Sequence, residues 1–132
     1  MESPAEKISL LIVDDHPGVR DGIRAVINAQ PDMKVVGEAA DGAEAIQQFR
    51  RLLPNVTLAD VTLPVICGID AVSLLRREFP QARFIVVSAL DDEQLVDRAF
   101  AAGAQAFLHK NQLRRELLPA IRAVHNGQRY AP

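Results

Sequence analysis

LLIVDDHPGVRDGIRAVI, residues 10–27, decides the fold. Leu10 to Val13 is an unbroken aliphatic run, as expected of a strand buried on both faces, and it stops abruptly at Asp14-Asp15. Val19, Ile23, Val26 and Ile27 then recur at helical spacing. A buried strand, a polar break and an amphipathic helix make the first half of a parallel strand-helix unit.

The unit repeats along the chain. Met33 to Ala39 predicts a second strand after the turn signal Gln30-Pro31-Asp32, and Asp41-Gly42 starts a helix with a core stripe of Ile46, Phe49 and Leu53. Pro54-Asn55 introduces a strand over Val56 to Asp60. After the loop Pro64 to Gly68, the stripe Ile69, Val72, Leu75 and Phe79 predicts a third helix, with Pro80 just beyond it. Phe84 to Ser88 is the fourth strand. Asp91-Asp92 puts negative charge at the start of a helix carrying Leu95, Val96, Ala99 and Phe100, and Gly103 fits its C-cap. Ala106 to Leu108 leads into a last helix with Leu117, Leu118, Ile121 and Val124, which stops at Asn126-Gly127. Five strand-helix units in strict alternation imply a parallel sheet covered on both faces, because right-handed crossovers place helices on the sheet's sides.

Each of four strands ends in a reactive polar group: Asp14-Asp15, Asp60, Ser88, and His109-Lys110. Ligands of open α/β sheets sit beyond the carboxyl ends of the strands, so these groups converge at one edge. Three crowded carboxylates are unfavourable without a counter-ion, and a hard cation such as Mg2+ offsets them. Asp60 alone ends a buried strand facing a turn and is the candidate nucleophile. Its attack on phosphorus gives an acyl phosphate, with Ser88 and Lys110 serving the phosphoryl oxygens.

At 132 residues the chain fits one domain able to bury roughly two thirds of its unfolded surface. The single cysteine, Cys67, forms no internal disulfide, and no apolar run resembles a signal peptide or membrane span, so the expected setting is cytoplasmic, with no membrane partner. A formal net charge of −2 argues against nucleic-acid binding by this domain itself.

The stretches LLIVDDHPGVRDGIRAVI, VVGEAADGAEAI, PNVTLADVTLPVICGIDAV, FIVVSALDD and GAQAFLHK cover nearly the whole chain. In order and spacing they resemble a receiver domain of a two-component response regulator, of the NarL/FixJ-like subgroup that precedes a LuxR-type helix-turn-helix output domain. The resemblance implies a flavodoxin-like, doubly wound α/β fold: a five-stranded parallel sheet in the order 2-1-3-4-5 with five helices. It implies Asp60 as phosphoacceptor, with Asp14, Asp15, Asp60 and the backbone carbonyl of Thr62 as Mg2+ ligands and Mn2+ as an alternative ion. Ser88 matches the switch hydroxyl, Lys110 the phosphate-pairing lysine and Phe107 the aromatic that reorients; Asp60, Lys110 and Ser88 carry the phosphotransfer.

The implied protein is a signalling switch, not an enzyme acting on an external substrate; it catalyses only its own phosphotransfer and dephosphorylation. Its implied partners are a sensor histidine kinase or small phosphodonor, a second copy upon phosphorylation, and DNA through a C-terminal domain that is absent here. Residues 1–132 read as a single receiver domain, with a core over 5–127 and the start of a linker over 128–132. A receiver working through protein contacts without phosphorylation is the alternative, although such receivers usually lack members of the site.

Three positions depart from the common pattern: Leu63 where methionine is usual, Asn55 where an acid often stands, and Cys67 where a polar residue is common. A flavin protein would need a Ser/Thr/Gly-rich loop after the first strand, where Asp14-Asp15 would repel phosphate. The aspartate-nucleophile phosphatases place two aspartates two positions apart, whereas these are adjacent. Taken singly, Asp15 reads equally as the cap of a helix beginning near Pro17. His16 reads as a polar surface residue, Cys67 as structural and Phe107 as a core aromatic. Arg20, Arg24, Arg50, Arg51, Arg76 and Arg77 suit a solvated helix face; Arg114 and Arg115 read the same way, with a partner surface as the alternative.

Overall fold

A computed structural model describes residues 7–90 and 92–130 of the chain. Five strands alternate with five helices: β1 (Ile8–Val13), α1 (Pro17–Asn28), β2 (Met33–Ala39), α2 (Gly42–Leu52), β3 (Val56–Asp60), α3 (Gly68–Glu78), β4 (Phe84–Ser88), α4 (Glu93–Ala102), β5 (Ala106–His109) and α5 (Leu113–His125). A single 3-10 turn, Lys110–Gln112, joins β5 to α5. All strand pairs are parallel, and the order is β2-β1-β3-β4-β5, as the sequence resemblance implies. The order reverses at β1, so the crevice between the ends of β1 and β3 is the topological switch point.

Burial explains the strand compositions. Every residue of β3 and β4 is buried, and β1 is buried at all positions but Ser9, which is why these segments are nearly continuous aliphatic runs. β2 is an edge strand and tolerates Lys34 and Glu38. Side chains alternate across the sheet, so the interior has two parts. Leu11, Val13, Ala59, Phe84, Val86 and Phe107 pack with α2, α3 and α4. Leu10, Ile12, Leu58, Ile85, Val87 and Leu108 pack with α1 and α5.

Helix termini follow local chemistry. Asp41 caps α2 by accepting from the Glu44 amide at 2.7 Å, and Asp92 caps α4 by accepting from the Gln94 amide at 2.9 Å. Asp91, expected to share that role, lies outside the described residues. Gly103 ends α4 with φ 112°, the left-handed geometry expected of its place in the sequence.

Several expectations are corrected. Residue 16, not Asp15, is the N-cap of α1, and no side chain caps that helix; Pro17 at its first position needs no hydrogen-bond acceptor. Val26 is 44% exposed on the outer face of α1. Leu53 is not part of the α2 stripe: the helix ends at Leu52, and Leu53 turns left-handed with φ 46° and faces solvent. Proline 119 lies inside α5, where it removes one intrahelical donor without ending the helix.

Candidate functional site

The acidic residues meet where β1 and β3 end. Asp60 is the last residue of β3 and is buried. Its Oδ1 accepts from the Thr62 amide at 3.0 Å, and its Oδ2 lies 2.8 Å from Lys110 Nζ. Asp14 directly follows β1, anchored by its own amide donating to the Ala39 carbonyl at 3.1 Å. Its Oδ1 accepts from the His16 amide at 2.9 Å, and its Oδ2 lies 3.3 Å from Lys110 Nζ. Lys110 therefore bridges the two buried carboxylates from the end of β5, two strands beyond β3.

Burial is the largest influence on Asp60 and, with nearby Asp14, raises its pKa; the Lys110 and Thr62 hydrogen bonds offset this only in part. Burial also acts most strongly on Asp14, but the His16 amide, the His16 ring and Lys110 together outweigh it and hold that carboxyl below the usual range. Lys110 loses some basicity to burial and gains more from Asp60 and Asp14, so it stays firmly protonated.

Asp15 stands at the mouth of the site. Its Oδ1 is closed off from solvent without a hydrogen bond of good geometry; its near neighbour is His16 Nδ1 at 2.9 Å. One ligand atom each from Asp14, Asp15, His16 and Asp60 can be gathered within 4.8 Å of one another. A shielded, unbonded carboxylate oxygen beside two buried carboxylates fits a hard divalent cation, whose oxygen ligands these are.

Ser88 ends β4 fully buried, with its Oγ accepting from the Leu90 amide at 2.9 Å. Phe107 is buried in the core under α4, with its ring 5.7 Å from that of His109 and edge-on to it. Of the residues the sequence singled out, Asp14, Asp15, Asp60, Thr62 and Lys110 thus come together at one point. Ser88 faces the adjoining loop, and Phe107 lies behind, in the core.

Two residues assigned no role in the sequence belong to this neighbourhood. His16, read as a surface residue, has its ring nitrogen 3.0 Å from Asp14 Oδ1 as well as beside Asp15. Arg20, read as part of a solvated face, donates to the Asp14 carbonyl at 2.6 Å and to Glu38 Oε1 at 3.2 Å. The available signal was its place one turn into α1, since helical side chains lean toward the N-terminus and cover the preceding turn. A groove of about 590 Å³, lined by Phe49, Leu53, Phe79 and Pro80, lies at the opposite end of the sheet.

A profile of the response regulator receiver domain family matches residues 10–122. The chain is 40% identical over 123 residues to the uncharacterized transcriptional regulatory protein YxjL of Bacillus subtilis, covering 93% of this chain and 56% of that protein. It is 36% identical over 124 residues to the oxygen regulatory protein NreC of Staphylococcus aureus, covering 93% of this chain and 57% of that one. The chain thus spans little more than half the length of these relatives. Among solved structures, a LuxR-family two-component response regulator from Aurantimonas sp. superposes with a TM-score of 0.91 at 35% identity, over 95% of this chain and 89% of that one. The response regulator domain of Thermotoga maritima CheB superposes with a TM-score of 0.86 at 36% identity, over 92% of this chain and 98% of that one.

Proposed function

The chain belongs to the response regulator receiver domain family, with relatives of the LuxR/NarL type, and from that premise we propose that Asp60 is its phosphoacceptor. The observation that carries the proposal is the single ammonium of Lys110 bridging Asp60 Oδ2 and Asp14 Oδ2, at 2.8 and 3.3 Å, beside a shielded oxygen of Asp15. A carboxylate oxygen of Asp60 attacks phosphorus. The new O–P bond forms as the P–N bond of a phosphohistidine, or the P–O bond of an acyl phosphate, breaks, and the departing imidazole or carboxylate keeps the electron pair.

Lys110 remains charged throughout and moves from the carboxylate to a phosphoryl oxygen. Ser88 leaves the Leu90 amide for another of these oxygens, and Phe107 repacks behind it. Asp14, Asp15, Asp60 and the Thr62 carbonyl would hold Mg2+, or Mn2+ in its place, which when bound would supply positive charge to the transferring group. Dephosphorylation is the chain's own activity as well.

Receivers of this kind accept phosphoryl groups from histidine kinases, and a sensor histidine kinase is the proposed donor here. The proposed outcome is altered self-association or output-domain contact, controlling transcription through a C-terminal DNA-binding domain beyond these residues. The proposed receiver core is residues 5–127 and the proposed linker begins at 128, its residues 129 and 130 still lying against α4 and β5. Among the described residues no helix is long and apolar enough to cross a membrane, and the proposed setting is the cytoplasm.

Acetyl phosphate with Mg2+ tests the proposal. The expected result is a mass increase of one phosphoryl group on the intact protein, lost in Asp60→Ala. Labelling that persists in Asp60→Ala rules Asp60 out, and tight partner binding indifferent to that substitution favours a receiver working without phosphorylation.

A further inference from the structure

After α5 the chain does not leave the domain. It turns at Gly127, φ 83°, and runs back along the outer edge of β5. Tyr130 forms a parallel bridge with Ala106: its amide donates to the Gln105 carbonyl at 2.9 Å, and its carbonyl accepts from the Phe107 amide at 3.2 Å. The preceding Arg129 lies over the Phe100 ring of α4, with 4.2 Å from guanidinium carbon to ring centroid. Tyr130 packs on the opposite side, against the core shared with α5. Residues 129 and 130 thus follow strand alternation on an edge that would otherwise offer unpaired backbone groups.

The two anchors of Tyr130 differ in how firmly they are held. Gln105 is fixed in the sheet: its side-chain oxygen accepts from the Phe84 amide at 2.8 Å, and its side-chain nitrogen donates to the Ala82 carbonyl at 3.2 Å. Phe107 lies three residues before Lys110, whose ammonium is held by Asp60 and Asp14. Phe107 is thus joined to Lys110 through Leu108 and His109, whereas Gln105 is tied to the residues around the start of β4.

We propose that the outer edge of β5, with Phe100 of α4, is a docking groove for the chain's own residues 129–130, and that this strap loosens when Lys110 is drawn onto a phosphoryl group at Asp60. The second half rests on the phosphoacceptor reading. Two backbone hydrogen bonds, one cation–π contact and the partly buried Tyr130 ring hold the strap, a small set of contacts on which ligand-driven coupling can act. Whatever follows Tyr130 in a longer chain then receives the state of the site directly through β5.

Tyr130 is the only tyrosine, and the chain has no tryptophan, so intrinsic fluorescence reports on the strap alone. The test is acrylamide quenching of this fluorescence, with beryllofluoride and Mg2+ as the phosphoryl mimic and fluorine NMR to register the adduct. Arg129→Ala in the resting protein is expected to at least double the quenching constant; an unchanged constant overturns the seating of the strap. With the adduct present, the wild-type constant is expected to rise by a similar factor, accompanied by faster exchange of the Phe107 amide. An adduct with neither change overturns the coupling. If no adduct forms, the phosphoacceptor reading fails, and resting Lys110→Ala decides: a doubled constant in the folded variant upholds the mechanical link, and an unchanged one overturns it.

Discussion

A Cβ added to Gly68 would lie 1.9 Å from the carbonyl oxygen of Asp60, so the start of α3 and the end of β3 touch backbone to backbone. The Gly68 amide also donates to the Val61 carbonyl at 2.9 Å. The contact sets the path of the loop that carries Thr62, whose amide holds Asp60 Oδ1. Gly68→Ala must push backbone against backbone. It is expected to cost about 1–3 kcal/mol in urea unfolding and to slow acetyl phosphate labelling by displacing Asp60. Wild-type stability and rate in this variant would refute the close approach.

Asp60 and Asp14 have opposite pH signatures. The folded pKa of Asp60 is raised, chiefly by burial, so its stabilising contribution is complete below the unfolded value and is lost as pH rises through the folded value. Asp60→Asn, neutral at every pH, is therefore expected to be more stable than wild type at pH 7, with the gain disappearing below about pH 4. Asp14, with its lowered pKa, contributes stability above the unfolded value that is lost as pH falls through the folded one. Urea midpoints of Asp60→Asn and Asp14→Asn across pH 3 to 8 separate the two; a common trend would contradict the assignment.

Addition of Mg2+ should stabilise the fold by mass action. At about a hundred times its dissociation constant the gain is about 2.7 kcal/mol, seen as a rise of several degrees in Tm. Asp15→Ala removes the shielded, unbonded oxygen and is expected to abolish most of the rise while leaving the metal-free Tm nearly unchanged. Differential scanning calorimetry with and without the ion measures both.

Arg122 ties α5 to the turn between α1 and β2. It donates to Asp32 through Nε and Nη2, both at 3.1 Å, and to Gln30 Oε1 at 3.1 Å. Its hydrogen bond lowers the pKa of Asp32, so this stability is present above the unfolded value and is lost as pH falls through the lowered one. Both side chains are 42% exposed, so solvent screens the pair. Arg122→Ala is expected to cost about 0.5–1 kcal/mol at neutral pH and low salt, less in high salt and least below the folded pKa of Asp32.

Val65 carries φ 70° and is 79% exposed, at the centre of a three-residue turn closed by the Ile66 amide donating to the Pro64 carbonyl at 2.8 Å. A β-branched residue is strained there. Val65→Gly relieves roughly 1–2 kcal/mol of strain and adds roughly 0.5–1 kcal/mol of unfolded-state freedom. A neutral to slightly stabilising urea shift is expected, and a clear loss of stability would show that the turn is unstrained.

The fold was readable because each strand is a short aliphatic run closed by a polar residue and each helix shows a 3.6-residue stripe. The site was readable because its members sit at strand ends, where topology gathers them. Val26 and Leu53 were misplaced because an apolar side chain at helical spacing says nothing of where the helix stops or how wide its buried face is. Asp15 does not cap α1 because His16 holds the N-cap position, and Pro17 after it, lacking an amide proton, leaves one donor fewer to satisfy. His16 and Arg20 escaped notice because their roles depend on the sharp turn between β1 and α1, which brings them back over Asp14. The seat of Tyr130 on β5 had no sequence pattern at all, since two residues cannot display a period.

The sheet parts the interior into two apolar masses that share no residue, one under α2, α3 and α4 and the other under α1 and α5. Phe107 belongs to the first, while the inner faces of α1 and α5 belong to the second. The faces of α1 and α5, inner and outer, can therefore change without repacking the aromatic behind the acidic site.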